Sequence, residues 1–142
     1  MVWRNVKNVV IGMLIFSMLV AAGCSGPDKV TGFVTVDLPK STIGDGEKTI
    51  IKVDGTNTGE VRAKVELKVI PEDTKMVRVY YPESLEFVLQ PGENTGHKIV
   101  SIQGFSNYSS TTYRLKIQLV YKDSSGGNVV LDEKIKEITV KK

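Results

Sequence analysis

Cysteine, histidine and tryptophan each occur once in these 142 residues, as Cys24, His97 and Trp3. A single cysteine excludes an internal disulfide, and a single histidine leaves a transition-metal site short of its usual ligands. No segment after Val30 sustains apolar residues at the helical i, i+3, i+4, i+7 spacing. An excess of one charge is small too, with 19 Lys and Arg against 16 Asp and Glu. At 41% hydrophobic and 25% charged, the composition is that of a globular chain. Disorder, collagen-like repeats and coiled coil are thereby excluded, and one domain is expected at this length.

What is present begins with an address. Arg4 and Lys7 precede an uncharged run from Val9 to Ala22, and Gly23-Cys24-Ser25 follows. A basic region, an apolar run and a small-residue zone in that order form a secretory signal peptide. As a helix, 14 residues span about 21 Å, short of a hydrocarbon core of roughly 30 Å. Ala21-Ala22-Gly23-Cys24 resembles the lipobox of bacterial-type lipoproteins, with Ala21 where Leu is commonest. That resemblance implies a diacylglycerol on the Cys24 sulfur, cleavage just before it, and attachment to the extracytoplasmic face of the cell membrane. The expected organisation is a signal peptide over 1–23, a short tether over 24–29 and one domain over 30–142. Cleavage removes Arg4 and Lys7, which brings the basic count to within one of the acidic count. The basic excess belongs to the targeting segment, so nothing remains to argue for nucleic acid as a partner.

From Val30 onward the dominant period is two. Val61, Ala63, Val65, Leu67 and Val69 alternate with charged residues, and Tyr113, Leu115, Ile117, Leu119 and Tyr121 with Arg114, Lys116, Gln118 and Lys122, with Val120 breaking the polar face. Shorter alternations occur at Val34 to Leu38, Thr49 to Val53, Val77 to Tyr81, Leu85 to Leu89 and Val100 to Ile102. Turn-forming clusters separate them, among them Asp54-Gly55, Asn57-Thr58-Gly59 and Pro91-Gly92. The phase slips near the C-terminus, since Val129, Leu131 and Ile135 lie on one parity and Ile138 and Val140 on the other. A bulge around Lys136-Glu137 is therefore expected. Seven or eight short strands with wet outer faces predict an antiparallel immunoglobulin-like β-sandwich.

Three short stretches sharpen that expectation: Asn57-Thr58-Gly59, Leu89-Gln90-Pro91-Gly92-Glu93 and Tyr113-Arg114-Leu115-Lys116-Ile117. Their order resembles the CARDB type of immunoglobulin-like module found on bacterial and archaeal cell surfaces. The resemblance covers roughly Val34 to Val140. It implies a fold and carries no catalytic or ligand residue with it.

Site chemistry is sparse. His97 stands beside a Pro-Gly turn, and Ser101, Ser106, Ser109 and Ser110 follow it without a Gly-x-Ser-x-Gly elbow. Glu72/Asp73 and Asp132/Glu133 are sequence neighbours, so on a strand each pair splits between opposite faces and makes no acid/base couple. Asp54 to Glu60 gathers oxygen donors but lacks the spacing of an EF-hand loop, and these residue types are ordinary turn formers. No metal site, no cofactor and no enzymatic activity are expected. The longest polar connection, 104–112, holds Phe105, Asn107 and Tyr108 as a recognition tip, and Asn107-Tyr108-Ser109 fits the Asn-x-Ser glycosylation pattern. With strands alternating in direction, the segment from Ser41 to Gly46 should lie at the end away from the tether.

The reading is a lipid-anchored cell-envelope module of binding or structural type, whose partner is an envelope protein or a surface glycan. The alternative is a small-ligand or carbohydrate-binding lipoprotein serving uptake, with Tyr80 and Tyr108 as its first contacts.

Overall fold

The computed structural model describes residues 29–142. Cys24 and the signal-peptide and lipobox readings lie outside the described residues. Nine strands make up the described chain: β1 (Gly32–Asp37), β2 (Thr42–Gly44), β3 (Lys48–Asn57), β4 (Ala63–Pro71), β5 (Val77–Tyr80), β6 (Glu86–Leu89), β7 (Lys98–Gly104), β8 (Thr111–Lys122) and β9 (Asn128–Lys141). They form two sheets, β1-β3-β7-β5 and β2-β9-β8-β4-β6. Every pairing is antiparallel except β2 with β9, which run parallel. The two sheets face each other across one apolar core. Among the described residues, no helix is long and apolar enough to cross a membrane.

The count of nine strands, against seven or eight expected, arises at the short β2. Pro39 follows β1 and cannot donate to a ladder, so the chain leaves the first sheet there and rejoins the second as the three-residue β2. The alternating positions behave as the period of two requires. Leu67, Leu115, Ile117 and Leu119 are fully buried, while Lys64, Arg114 and Lys116 are exposed. Val61 is an exception, because β4 begins at Ala63 and leaves Val61 exposed in the connection before it.

Two local expectations are corrected. Asp54-Gly55 is not a turn: β3 continues through Asn57, with Gly55 opposite Val34. A side chain at Gly55 would meet Leu119 Cδ1 at 2.8 Å and Leu67 Cδ2 at 3.3 Å, so the glycine serves inter-sheet packing instead of a bend. The bulge is not at Lys136-Glu137, which pair in register with Leu115 and Arg114. It lies upstream, where Leu119 faces Asp132, Val120 faces Val130, and Leu131 is the extra residue. The phase slip thus precedes Ile135, which falls on the outer face and is exposed, while Ile138 and Val140 enter the core.

Following the strand directions sorts the connections into two ends. Lys29 and the start of β1 share one end with the β3–β4, β6–β7 and β8–β9 connections. The other end, called distal below, gathers 38–47, 72–76, 105–110 and the C-terminal end of β9.

At the Lys29 end the buried Asn57 ties the connections together. Its amide donates to the carbonyls of Val61 (2.9 Å) and Leu89 (3.0 Å), and its Oδ1 accepts from the Gly59 N–H (2.9 Å). Its backbone exchanges hydrogen bonds with Glu93 and Gly92. Two of the three stretches that carry the family resemblance therefore meet here, and what they encode is a structural joint.

Candidate interaction surface

The distal tip is built outward from Gly104, the last residue of β7. A Cβ there would lie 2.4 Å from Val140 Cγ2 and 2.9 Å from Ile43 Cδ1, so only glycine lets the two sheets approach this closely. From this point the 105–110 connection is held at its root. The Phe105 N–H donates to the Met76 carbonyl (2.7 Å), the Ser106 N–H to Asp45 Oδ1 (2.9 Å), and the Gly46 N–H to the Gly104 carbonyl (2.8 Å). Asp45 and Gly46 belong to the segment expected away from the tether, and the structure puts that segment beside 105–110.

Beyond the root the side chains diverge. Phe105 is half-buried beneath the Arg78 guanidinium, whose carbon lies 4.9 Å from the ring centroid. Asn107 and Tyr108 are exposed, and Tyr108 retains 87% of its surface, more than any other large apolar side chain described. The three residues of the tip do not form one platform: Phe105 packs back onto β5, and Tyr108 stands in solvent. Nearby Glu47 accepts from the Gly44 N–H (2.7 Å) and pairs with Lys40. Those two contacts, the backbone N–H first, hold its carboxyl below the usual range.

The catalytic candidates are scattered. His97 Nδ1 lies 2.9 Å from Asp54 Oδ2, a base with an orienting carboxylate, but at the Lys29 end of β7. The seven residues of β7 separate it by about 20 Å from Ser106, Ser109 and Ser110 at the distal end. Ser101 sits on β7, half-way along, opposite Ile50 and Tyr80. Among the described residues no hydroxyl hydrogen-bonds to His97, so no activated nucleophile is assembled.

The carboxylate pairs have structural partners. Glu72 accepts from the Arg114 N–H, Asp73 caps the Lys75 and Met76 N–H groups, Asp132 accepts from the Val34 N–H, and Glu133 accepts from Gln118. The oxygens of the 54–60 segment are also engaged, with Asp54 accepting from Asn94 and facing His97, and Asn57 accepting from Gly59. Among the described residues, no three His, Cys, Asp or Glu side chains gather as metal ligands would.

Tyr80 ends β5 and Tyr81 follows it; their hydroxyls reach different neighbours, and both are exposed. The Tyr81 hydroxyl donates to the Val69 carbonyl (2.7 Å), and partial burial raises its pKa. The Tyr80 hydroxyl donates to Gln103 Oε1 (2.9 Å), with Lys48 Nζ 5.0 Å from its ring centroid. Tyr80 and Tyr108 line none of the described grooves together. A groove of about 430 Å³ runs over the outer face of β4, β8 and β9, between Ile70, Arg114, Lys116 and Ile135, and contains no aromatic ring.

Sequence reasoning did not single out Lys48, Arg78 and Gln103. Their only sequence signal is outward parity on separate strands, and parity alone does not say which strands lie side by side.

No protein-family model matches the chain, and no curated protein matches its sequence. Solved structures do resemble it. Native alpha-2-macroglobulin from Escherichia coli, in a fragment from domain MG7 to the C-terminus, aligns with a TM-score of 0.62 at 12% identity, over 82% of this chain and 17% of that one. The present chain thus spans a small part of that protein's length. SSP-19, an MSP-domain protein like family member in Caenorhabditis elegans, aligns with a TM-score of 0.51 at 15% identity, over 76% of this chain and 99% of that one. A CARDB domain from Pyrococcus furiosus covers 78% of this chain and 91% of its own at 16% identity, with a TM-score of 0.48. At these identities the likeness is one of fold, and the fold is an immunoglobulin-like β-sandwich.

Proposed function

We propose that this chain is a lipid-anchored extracytoplasmic protein whose immunoglobulin-like domain acts as a non-enzymatic binding or structural module, presenting its distal end to another component of the cell envelope. The observation that carries the reading is the polarity of the domain. Lys29, five positions after Cys24, enters at one end, and the exposed Tyr108 projects from the other. A chain tethered at Cys24 would hold the 105–110 connection away from the bilayer. Two acyl chains on one residue give durable attachment, unlike a single myristoyl chain.

Several features favour binding over catalysis. Among the described residues His97 has no nucleophile beside it, and of the paired carboxylates Glu72, Asp73 and Asp132 accept from backbone N–H groups and Glu133 from the Gln118 amide. The grooves are open, and the Tyr108 ring stands outside them. A rooted connection with a free tip is how rigid sandwiches present contact residues.

Two experiments test this reading. Cys24→Ser should shift the protein out of the detergent-soluble membrane fraction, and mass spectrometry should find diacylglycerol on Cys24 of the parent chain. An unmodified Cys24 thiol on the mature protein refutes the anchor. Replacing 105–110 with a Gly/Ser connection should leave the fold intact and abolish recovery of the envelope partner. Unchanged recovery refutes the tip.

A further inference from the structure

A different surface from the tip stands out once the strand order is known. On the outer face of the four-stranded sheet, β3, β7 and β5 lie side by side, and their register builds a lattice of outward positions. One row is Lys48–Gln103–Arg78, the next is Ile50–Ser101–Tyr80, and the third pairs Lys52 with Ile99. These positions hold three cations and no carboxylate. By register the nearest carboxylates border the lattice, at Asp37 on β1, opposite Lys52, and at Asp54, two residues along β3, which faces His97. On the outer face of the other sheet, Lys68 and Lys122 pair with Glu66 and Glu86. Among the described residues, Lys48, Lys52 and Arg78 make no ion pair with a carboxylate.

The lattice is apolar as well as basic. Ile50 is 38% exposed, Tyr80 40% and Ile99 48%, and the half-buried Phe105 continues the surface past Arg78. Each of two cations sits over a ring, Lys48 over Tyr80 and Arg78 over Phe105. Tyr80 is held in place through Gln103, which accepts from its hydroxyl and donates to the Gly46 carbonyl (2.9 Å each). A surface whose rings and charges are already fixed loses little entropy on binding. The nearby acids are committed elsewhere: Asp45 accepts from the Ser106 N–H, and Glu47 pairs with Lys40.

We propose that the outer face of β3, β7 and β5, centred on Lys48, Arg78 and Tyr80, binds an acidic polysaccharide, with carboxylates of the polymer against Lys48 and Arg78 and a sugar ring against Tyr80. Charge complementarity selects a polyanion. Lys48 and Arg78 stand two strands apart, about 10 Å, so consecutive charged groups of one chain can reach both. The flatness of the face selects a glycan over a folded protein, whose anchoring side chains need pockets. Four grooves of the described surface are lined by residues outside this lattice. Ring-plus-cation pairs suit a uronic-acid unit, which offers an apolar C–H face and a carboxylate together.

The test uses the full chain in nonionic detergent, with polygalacturonate as the probe. Dextran, polyglutamate and vesicles of anionic phospholipid are the comparisons. Polygalacturonate should bind with an affinity that falls as salt rises, and dextran should not bind. Lys48→Glu with Arg78→Glu should weaken binding by about tenfold or more, and Tyr80→Ala by about threefold or more. Lys64→Glu with Lys116→Glu, on the other sheet, should leave it unchanged, and so should Tyr108→Ala. The last variant separates this proposal from the tip reading. Circular dichroism checks folding, and if the double reversal fails to fold, Tyr80→Ala and Arg78→Gln decide. Absence of binding overturns the proposal. So do polyglutamate or vesicles bound as tightly as polygalacturonate, or folded Lys48 and Arg78 variants that bind normally.

Discussion

The backbone N–H of Val34 donates to the Asp132 carboxylate at 2.9 Å, joining the edge strand of one sheet to a strand of the other. Antiparallel pairing with β3 leaves one side of β1 without a strand partner, and Asp132 occupies that side. Asp132 follows the bulge at Leu131 and shares the inward parity of Ile138 and Val140, which aims it at β1. An edge is blunted here by an inward-pointing charge.

Asp132 should therefore matter more than its exposure implies. The Val34 N–H holds its pKa below the ordinary value, with Lys134 adding a smaller pull. A carboxyl with a depressed folded-state pKa stabilises the fold above its unfolded pKa of about 3.9 and loses that contribution as pH falls through the folded value. Asp132→Ala should cost about 1–2 kcal/mol in urea unfolding at pH 7 and less at pH 3, while Asp132→Asn, which keeps an acceptor, should cost less than Asp132→Ala at pH 7.

The Asn57 joint predicts a sharper asymmetry. Asn57→Ala orphans the carbonyls of Val61 and Leu89 and the N–H of Gly59, which should cost about 2–3 kcal/mol. Asn57→Asp should be no better, since a carboxylate cannot donate to either carbonyl. Denaturant midpoints of the two variants, compared with the parent, check both statements.

Gly104 and Val140 should be energetically coupled. A Cβ at 104 falls 2.4 Å from the Val140 methyl, so Gly104→Ala should destabilise by about 1–3 kcal/mol through overpacking. Val140→Ala makes room for the added methyl. The double variant should then be more stable than the sum of the two single losses, and a double-mutant cycle measures the difference.

The two faces of β4 and β8 should respond unequally. Leu67→Ala and Leu115→Ala each open a cavity in the core and should cost about 2–5 kcal/mol. Lys116→Ala, on the exposed face, should stay within about 0.5 kcal/mol. Equal losses on the two faces, read by thermal or urea unfolding, would contradict the inward and outward assignment.

Alternation determined which side chains of β4 and β8 are buried, save Val120 at the register shift, because a period of two is local: each residue's face depends only on its neighbours. The sandwich class was legible for the same reason, and so was the place of 41–46 at the end away from Lys29, since the first strand starts beside that residue. The distal position of 105–110 was not, because β5 and β6 run in the same direction and the strands do not reverse at every turn. Tertiary structure decided what locality cannot encode. Asp54-Gly55 carries turn chemistry, yet packing against Leu119 and Leu67 draws it into β3. The bulge moved to Leu131 because pairing with β8 sets where a residue becomes surplus. Asp132, read as half of an acidic pair that makes no acid/base couple, became a cap for β1 through a contact 98 positions away. The basic lattice of Lys48, Gln103 and Arg78 exists only because β7 lies between β3 and β5. Strand order rests on hydrogen bonds between segments far apart in the chain, and no pattern within one strand specifies its neighbour.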